Sequence, residues 1–250
     1  MDNLKLVFVG DPNQLSAVGY GKFFEQAISY FPTAKLTKVF RAESEEITNA
    51  ANAVLAGCKP APNKHVEIIK PTVDDIANYA LINEAMVLCP TNATASKINR
   101  RIQRLRVKSS FSIFTVLGHQ IYSNDRLLFT KNNPKVGILN GHFGIFLKHD
   151  TEGIHLKMER IGSITLSYDD FVNSGAQLGY AVTGHKSQGA GFDIVVVVCE
   201  NSSVCTKRWL YTAFTRARKK IAFAELGDFQ LALNKPDMPR MTQRLVPLVE

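Results

Sequence analysis

Four polar segments, each set beside an apolar run, hold the residues best suited to chemistry. The first is Gly10-Asp11-Pro12-Asn13-Gln14-Leu15, followed by Val18-Gly19-Tyr20-Gly21. A buried strand over Leu4–Val9 would end in this turn and set Asp11 and Gln14 at the carboxyl edge of a sheet, where open α/β sheets bind ligands. A glutamine there can orient a water or touch a phosphate; the competing reading is a tight turn capped by Asp11. The second segment is Leu36-Thr37-Lys38-Val39-Phe40-Arg41. A planar guanidinium at its end suits an oxyanion, although the segment read alone favours a surface arginine. The third, Tyr180–Gly189, crowds Thr183, His185, Lys186, Ser187 and Gln188 into six positions. A core rarely accepts so many polar groups together, so this is a ligand loop or a polar connection. The fourth is Trp209–Arg218. On a helix, Thr212 and Arg216 share a face at i,i+4. Arg216 then suits charge developing on a transferred phosphoryl group, or a solvated place near a helix C-terminus.

The elements that must position these groups alternate. Helices are expected over Phe23–Tyr30, Ser44–Ala56 with Ser44 as cap and Gly57 as stop, Val73–Ile82, Ala93–Arg106 and Lys207–Ala217. Strands are expected over Leu36–Phe40, Val66–Ile69, Ala85–Cys89, Leu178–Thr183, Asp193–Val198 and Lys220–Ala224. This alternation implies a parallel sheet. From Val107 to about Gln177 the texture changes to short apolar stretches broken by Gly, Asn and Asp. Arg126–Thr130, Val136–Leu139, Phe143–Leu147, Ile154–Met158 and Ile164–Leu166 suit strands there, and Asn140-Gly141 signals a type I′ hairpin turn. The expectation is a small β-barrel inserted into an α/β domain.

Composition bounds the rest. With 250 residues, 45% hydrophobic and 21% charged, the chain can bury a sizeable core. No apolar run reaches the roughly 18 residues of a membrane span. The formal charge of +8 favours polyanionic partners. Cys58, Cys89, Cys199 and Cys205 show no metal-ligand spacing, which suits a reduced, cytoplasmic chain with no metal of its own.

In order and spacing the segments resemble the late motifs of superfamily 1 helicases. GDPNQL resembles motif III, LTKVFRA motif IV, YAVTGHKSQG motif V and YTAFTRAR motif VI. VLCPTN and the following KIN, within Met86 to Asn99, are similar to an extra motif of the RecD/Dda group. NGHFG at Asn140–Gly144 is similar to a hairpin in that group's inserted SH3-like barrel. The resemblance implies a RecA-like parallel-sheet domain of the P-loop NTPase type over 22–106 and 178–250, with an SH3-like insert over 107–177. Residues 1–21 would be the last part of a first RecA-like domain. It implies an ATP-dependent DNA helicase moving 5′→3′ on single-stranded DNA, in a bacterial, phage or viral setting. Gln14, Arg41 and Arg216 would act in catalysis, and Asp11, Gln188 and Gly189 would join them in holding nucleotide. Thr91, Asn92, Thr183, His185 and Lys186 would contact the strand. A non-catalytic strand-binding module and a viral RNA helicase are the alternatives.

The sequence departs from the pattern at three places. Ala190-Gly191 stand where an acidic residue is usual after motif V, and Ala42 stands where motif IV commonly has glutamine. No G-x-x-x-x-G-K-[ST] occurs in the 250 residues. The expectation is therefore that Mg²⁺ ligands and the phosphate loop belong to a separate first domain, and that the chain alone is inactive.

Overall fold

The computed structural model describes residues 5–15, 23–36, 42–107, 113–116 and 118–236. Arg41 and the 18–21 loop lie outside the described residues, as do 37–40.

Helix α1 covers Phe23–Tyr30 and α2 covers Glu45–Leu55. Ser44 Oγ accepts the Glu46 N–H at 3.1 Å, and Gly57 takes a left-handed φ of +80° just past the helix. Strand β1 (Val66–Ile69), helix α3 (Val73–Ile82), strand β2 (Met86–Cys89) and helix α4 (Asn92–Arg106) follow. Thr72 and Thr91 cap α3 and α4 through their hydroxyls. Next come β3 (Ile113–Val116), β4 (His119–Tyr122), β5 (Arg126–Phe129), β6 (Phe143–Asp150), β7 (Gly153–Met158) and β8 (Gly162–Leu166). Helix α5 (Tyr168–Asn173) and β9 (Ala176–Leu178) lead to β10 (Ala181–Thr183), β11 (Phe192–Cys199), α6 (Lys207–Phe214), β12 (Ala217–Glu225) and α7 (Phe229–Asn234).

The main sheet has the order β1-β12-β11-β2-β10, all parallel. Its strands are near-continuous apolar runs because helices cover both faces. Side chains alternate accordingly. Met86, Leu88, Val195, Val197, Ile221 and Phe223 face α2, α6 and α7. Val87, Val196, Val198, Ala222 and Ala224 face α3 and α4. The carboxyl ends of β2, β10 and β11 thus open toward one edge, which bears the polar loops.

Between α4 and β10 the chain builds an antiparallel sheet of order β8-β7-β6-β5-β9 and a separate β3–β4 hairpin. Phe114, Phe129, Phe146, Phe171 and Leu156 fill its own core. Among the described residues the pairings run in line from β8 to β9, with none that closes a ring.

Several expectations change. Residues 5–10 form no strand; Leu6, Val7 and Val9 are 69%, 84% and 88% exposed. An apolar strand buries itself only between neighbours, and no described strand pairs with this segment. Leu36 is exposed and outside any strand. Val136–Leu139 is not a strand: Pro134–Val136 makes a 3₁₀ turn, and Ile138 makes only an isolated bridge to Asn133. At Asn140-Gly141 only the glycine has positive φ, +89°, and His142 N–H donates to Leu139 O. That turn is of type II pattern, since type I′ needs positive φ at both central residues. Leu178–Thr183 is two strands in two sheets, divided at Gly179, where a Cβ would lie 2.9 Å from backbone atoms of Leu127 and Leu128. Helix α6 stops at Phe214, so Arg216 lies in the turn into β12. No helix of the described residues is long and apolar enough to cross a membrane.

Candidate functional site

Two of the sequence-predicted phosphate-side residues meet directly. Arg216, only 2% exposed, donates from Nε to Thr212 O at 3.1 Å and from Nη1 to Ala190 O at 3.3 Å. Its Nη2 donates to Gln14 Oε1 at 2.7 Å. Gln14 Nε2 in turn donates to Asp11 Oδ2 at 3.0 Å. The 11–15 loop is docked by two further bonds: Leu15 N–H to Thr212 Oγ1 at 2.8 Å, and Gln188 Nε2 to Leu15 O at 3.0 Å. Thus residues from three of the polar segments converge although they are some 200 positions apart. Asp11 also caps its own turn by accepting the Asn13 N–H at 2.9 Å, so its tight-turn reading holds as well. Burial, then the Asp11 charge, pushes the Tyr211 phenol upward from its ordinary range.

Beside this cluster lies a pocket of about 170 Å³ lined by Asp11, Gln14, Ala42, Tyr211 and Thr215 among others. That is below the roughly 300–1,000 Å³ of a complete small-molecule site. Among the described residues Asp11 is the pocket's one carboxylate.

The 183–189 loop follows β10. Ser187 N–H returns to Thr183 O at 3.1 Å, Ser187 Oγ donates to Gly184 O at 2.8 Å, and Gly189 has φ +80°. Gly184 is required by packing: a Cβ there would lie 2.6 Å from Trp209 Nε1. This fold turns Thr183 and Lys186 into a groove of about 1130 Å³.

Helix α4 forms one wall of that groove. Asn92, Ser96, Arg100 and Arg104, spaced four apart, run down its lining face over about 18 Å. The opposite wall is β4, with His119, Gln120 and Tyr122, joined by Gln177. Among the described residues the lining holds Arg100, Arg104 and Lys186 and no Asp or Glu. Such a lining draws a polyanion. Burial lowers the pKa of Lys186.

Of the five expected strand contacts, Asn92, Thr183 and Lys186 line this groove. His185 is half-buried in the same loop but does not line it. Thr91 is spent on the helix cap, accepting the Thr94 N–H at 3.3 Å and donating to Thr94 Oγ1 at 3.2 Å. Arg100, Arg104 and His119 were missed; the four-residue spacing of polar groups from Asn92 was the available signal. Asn99 was missed as a bolt: its amide donates to Ala181 O at 2.7 Å and accepts from Ala181 N at 2.8 Å, fastening β10 to α4.

Comparison with known proteins supports the same assignment. A model described as the UvrD-like helicase C-terminal domain matches residues 178–223, and an AAA domain model matches 1–70. The chain is similar to the ATP-dependent RecD2 DNA helicase of Deinococcus radiodurans, 28% identical over 96% of this chain and 35% of that protein. It is also similar to the conjugal transfer protein TraA of Agrobacterium fabrum, 24% identical over 87% of this chain and 22% of TraA. Over most of its length the chain is thus similar to a RecD-type DNA helicase, and residues 178–223 match the C-terminal domain of UvrD-like helicases. Among solved structures, Bacteroides Pif1 bound to ssDNA shares the fold with a TM-score of 0.54 at 20% identity, covering 80% of this chain and 53% of Pif1. Pif1 in complex with ADP-AlF3 and ssDNA gives 0.52 at 21%. The chain spans about a third or less of the length of the curated relatives named here.

Proposed function

We propose that the chain is the C-terminal motor half of an ATP-dependent DNA helicase that moves 5′→3′ along single-stranded DNA. The observation that carries this reading is the direct bond from the buried Arg216 to Gln14, which itself lines a pocket of about 170 Å³ with Asp11. Phosphoryl transfer needs fixed positive charge on the transferred group and an oriented water. Arg216 supplies the first and Gln14 the second. Arg41, Asp11, Gln188 and Gly189 complete the nucleotide side. A first RecA-like domain supplies the phosphate loop and the carboxylates that hold Mg²⁺. ATP, when bound, would supply the phosphoryl group transferred to water and the charge that draws the two domains together.

The exposed apolar run Leu6-Val7-Phe8-Val9 suits a strand that completes its sheet with that first domain, of which residues 1–21 form the last part. The insert works as an SH3-like unit whose β3–β4 hairpin walls the groove. DNA phosphates lie along Arg100, Arg104 and Lys186, with Thr91, Asn92, Thr183 and His185 near the sheet edge.

The test is unwinding. A P-loop-bearing first RecA-like domain is joined in frame ahead of residue 1, and forked duplexes with a 5′ or a 3′ tail are supplied with ATP and Mg²⁺. Unwinding of the 5′-tailed fork alone supports the reading. Strand binding with no unwinding of either fork, despite a folded fusion, replaces it with that of a non-catalytic strand-binding module.

A further inference from the structure

Asp125 is fully buried at the start of β5, and its carboxylate is filled. Oδ1 accepts Arg106 Nη2 at 2.6 Å and Tyr180 OH at 2.8 Å. Oδ2 accepts Gln103 Nε2 at 2.5 Å and the Tyr122 N–H at 2.8 Å. A carboxylate has about four acceptor sites, and here all are used. Only one donor comes from its own hairpin. Gln103 and Arg106 stand one turn apart on α4, which is one wall of the groove, and Gln103 also reaches Gln120 O at 3.0 Å on the other wall. Tyr180 immediately precedes β10, whose last residue is Thr183. Burial, then the negative charge of Asp125, raises the Tyr180 phenol and keeps it a donor.

We propose that Asp125 is a positioning residue that latches the two groove walls and the β10 strand into one unit, and so sets the width at which a DNA strand is gripped. Its physical basis is asymmetry. A satisfied buried carboxylate costs little, whereas one that loses donors is expensive, so the walls are held at the one separation that satisfies it. The adjacent Asn99–Ala181 pair fixes the same helix to the same strand, so α4, β10 and β4 move together. Asp125 touches no strand itself. It acts through Arg100, Arg104 and Lys186, and in that consequence it rests on the strand-binding reading.

The experiment reads width and grip separately on the full chain. Spin labels are placed by Ser96→Cys and His119→Cys in a Cys58→Ser background, and the distance across the groove is measured without DNA. Binding of fluorescent oligothymidylate is titrated on unlabelled protein. Asp125→Asn, which turns one acceptor into a donor, should broaden the distance distribution and weaken binding roughly 3- to 30-fold. If Asp125→Asn does not fold, the Tyr180→Phe and Gln103→Leu pair, which leaves the Arg106 ion pair in place, should do the same at a similar melting temperature. Arg101→Ala, which removes only an α4–α3 surface pair with Asp74, should change neither. Unchanged distances in the folded variants overturn the latch, and so do broadened distances with unchanged affinity. If wild type fails to bind and Arg100→Ala has nothing to weaken, the strand reading fails; the distances alone then judge the latch.

Discussion

Arg216 spends its donors on Thr212 O, Ala190 O and Gln14 Oε1, so its guanidinium is positioned by the protein before it meets substrate. On the proposed reading, an Nη N–H of Arg216 would meet the γ-phosphate while the bond to Gln14 ties the glutamine to the same guanidinium. Arg218, two positions on, is exposed and lies 3.7 Å from Asp193, so Arg218→Ala should leave ATP turnover of the joined protein unchanged. Lys186 offers a second prediction. Burial lowers its pKa, so its charge is present below that lowered value and lost as pH rises through it. DNA affinity should therefore fall with pH before an ordinary lysine would titrate, and Lys186→Arg should flatten the profile. A wild-type profile as flat as that of Lys186→Arg would remove Lys186 from the grip. At this scale the sequence was partly legible. Gln14, Gln188 and Arg216 were readable because loop polarity concentrates there, whereas Asn99 and Asp125 hide among helix and turn residues and gain meaning only from partners some 80 and 20 positions away.

Helix α4 does two jobs. Asn99, Gln103 and Arg106 bind protein groups, and Asn92, Ser96, Asn99, Arg100, Gln103 and Arg104 line the groove. Each cationic contact with a single strand contributes a slope of about −0.7 in log affinity against log salt. Arg100→Ala with Arg104→Ala should flatten the slope by roughly 1.4 in titrations at several salt concentrations; an unchanged slope would take α4 out of the strand path. Helices were well anticipated because their caps are local: Ser44 announces a start that the structure keeps, and Thr72 and Thr91 cap the next two helices in the same way. Ser44→Ala should cost about 1 kcal/mol in denaturant unfolding. Elements without such signals were missed. The β3–β4 hairpin and α5 are short and take their order from the aromatic core around Phe114 and Phe171. Conversely, Val136–Leu139 looked like a strand by composition, but the 3₁₀ turn at Pro134 leaves no straight run to pair.

Over the whole molecule, the insert is less detached than its texture suggested. Leu128 and Phe143 belong to the core of the parallel sheet, and Phe143 packs edge-on against Phe192 with ring centroids 5.9 Å apart. Replacing residues 107–178 by a Gly/Ser linker should therefore lower the melting temperature by roughly 10 °C or more, since large core side chains are lost. An unchanged melt would mark the insert as independent. The parallel sheet was legible because its strands carry short apolar runs between helical segments, but the 5–10 segment was not: the same apolarity that reads as a buried strand needs neighbours that the described sheets do not offer.

ATP turnover of the chain joined to a P-loop-bearing first domain, measured as phosphate release at saturating single-stranded DNA, tests the central claim. Wild type should turn over, and the chain without that domain should not. Arg216→Ala should lose about 10³-fold or more of the rate while binding DNA as before, because an arginine of this kind acts on charge that develops in transfer. Arg216→Lys should recover only part, lacking the planar fork. Undiminished turnover by a folded Arg216→Ala protein, or robust turnover by the chain alone, would contradict the account.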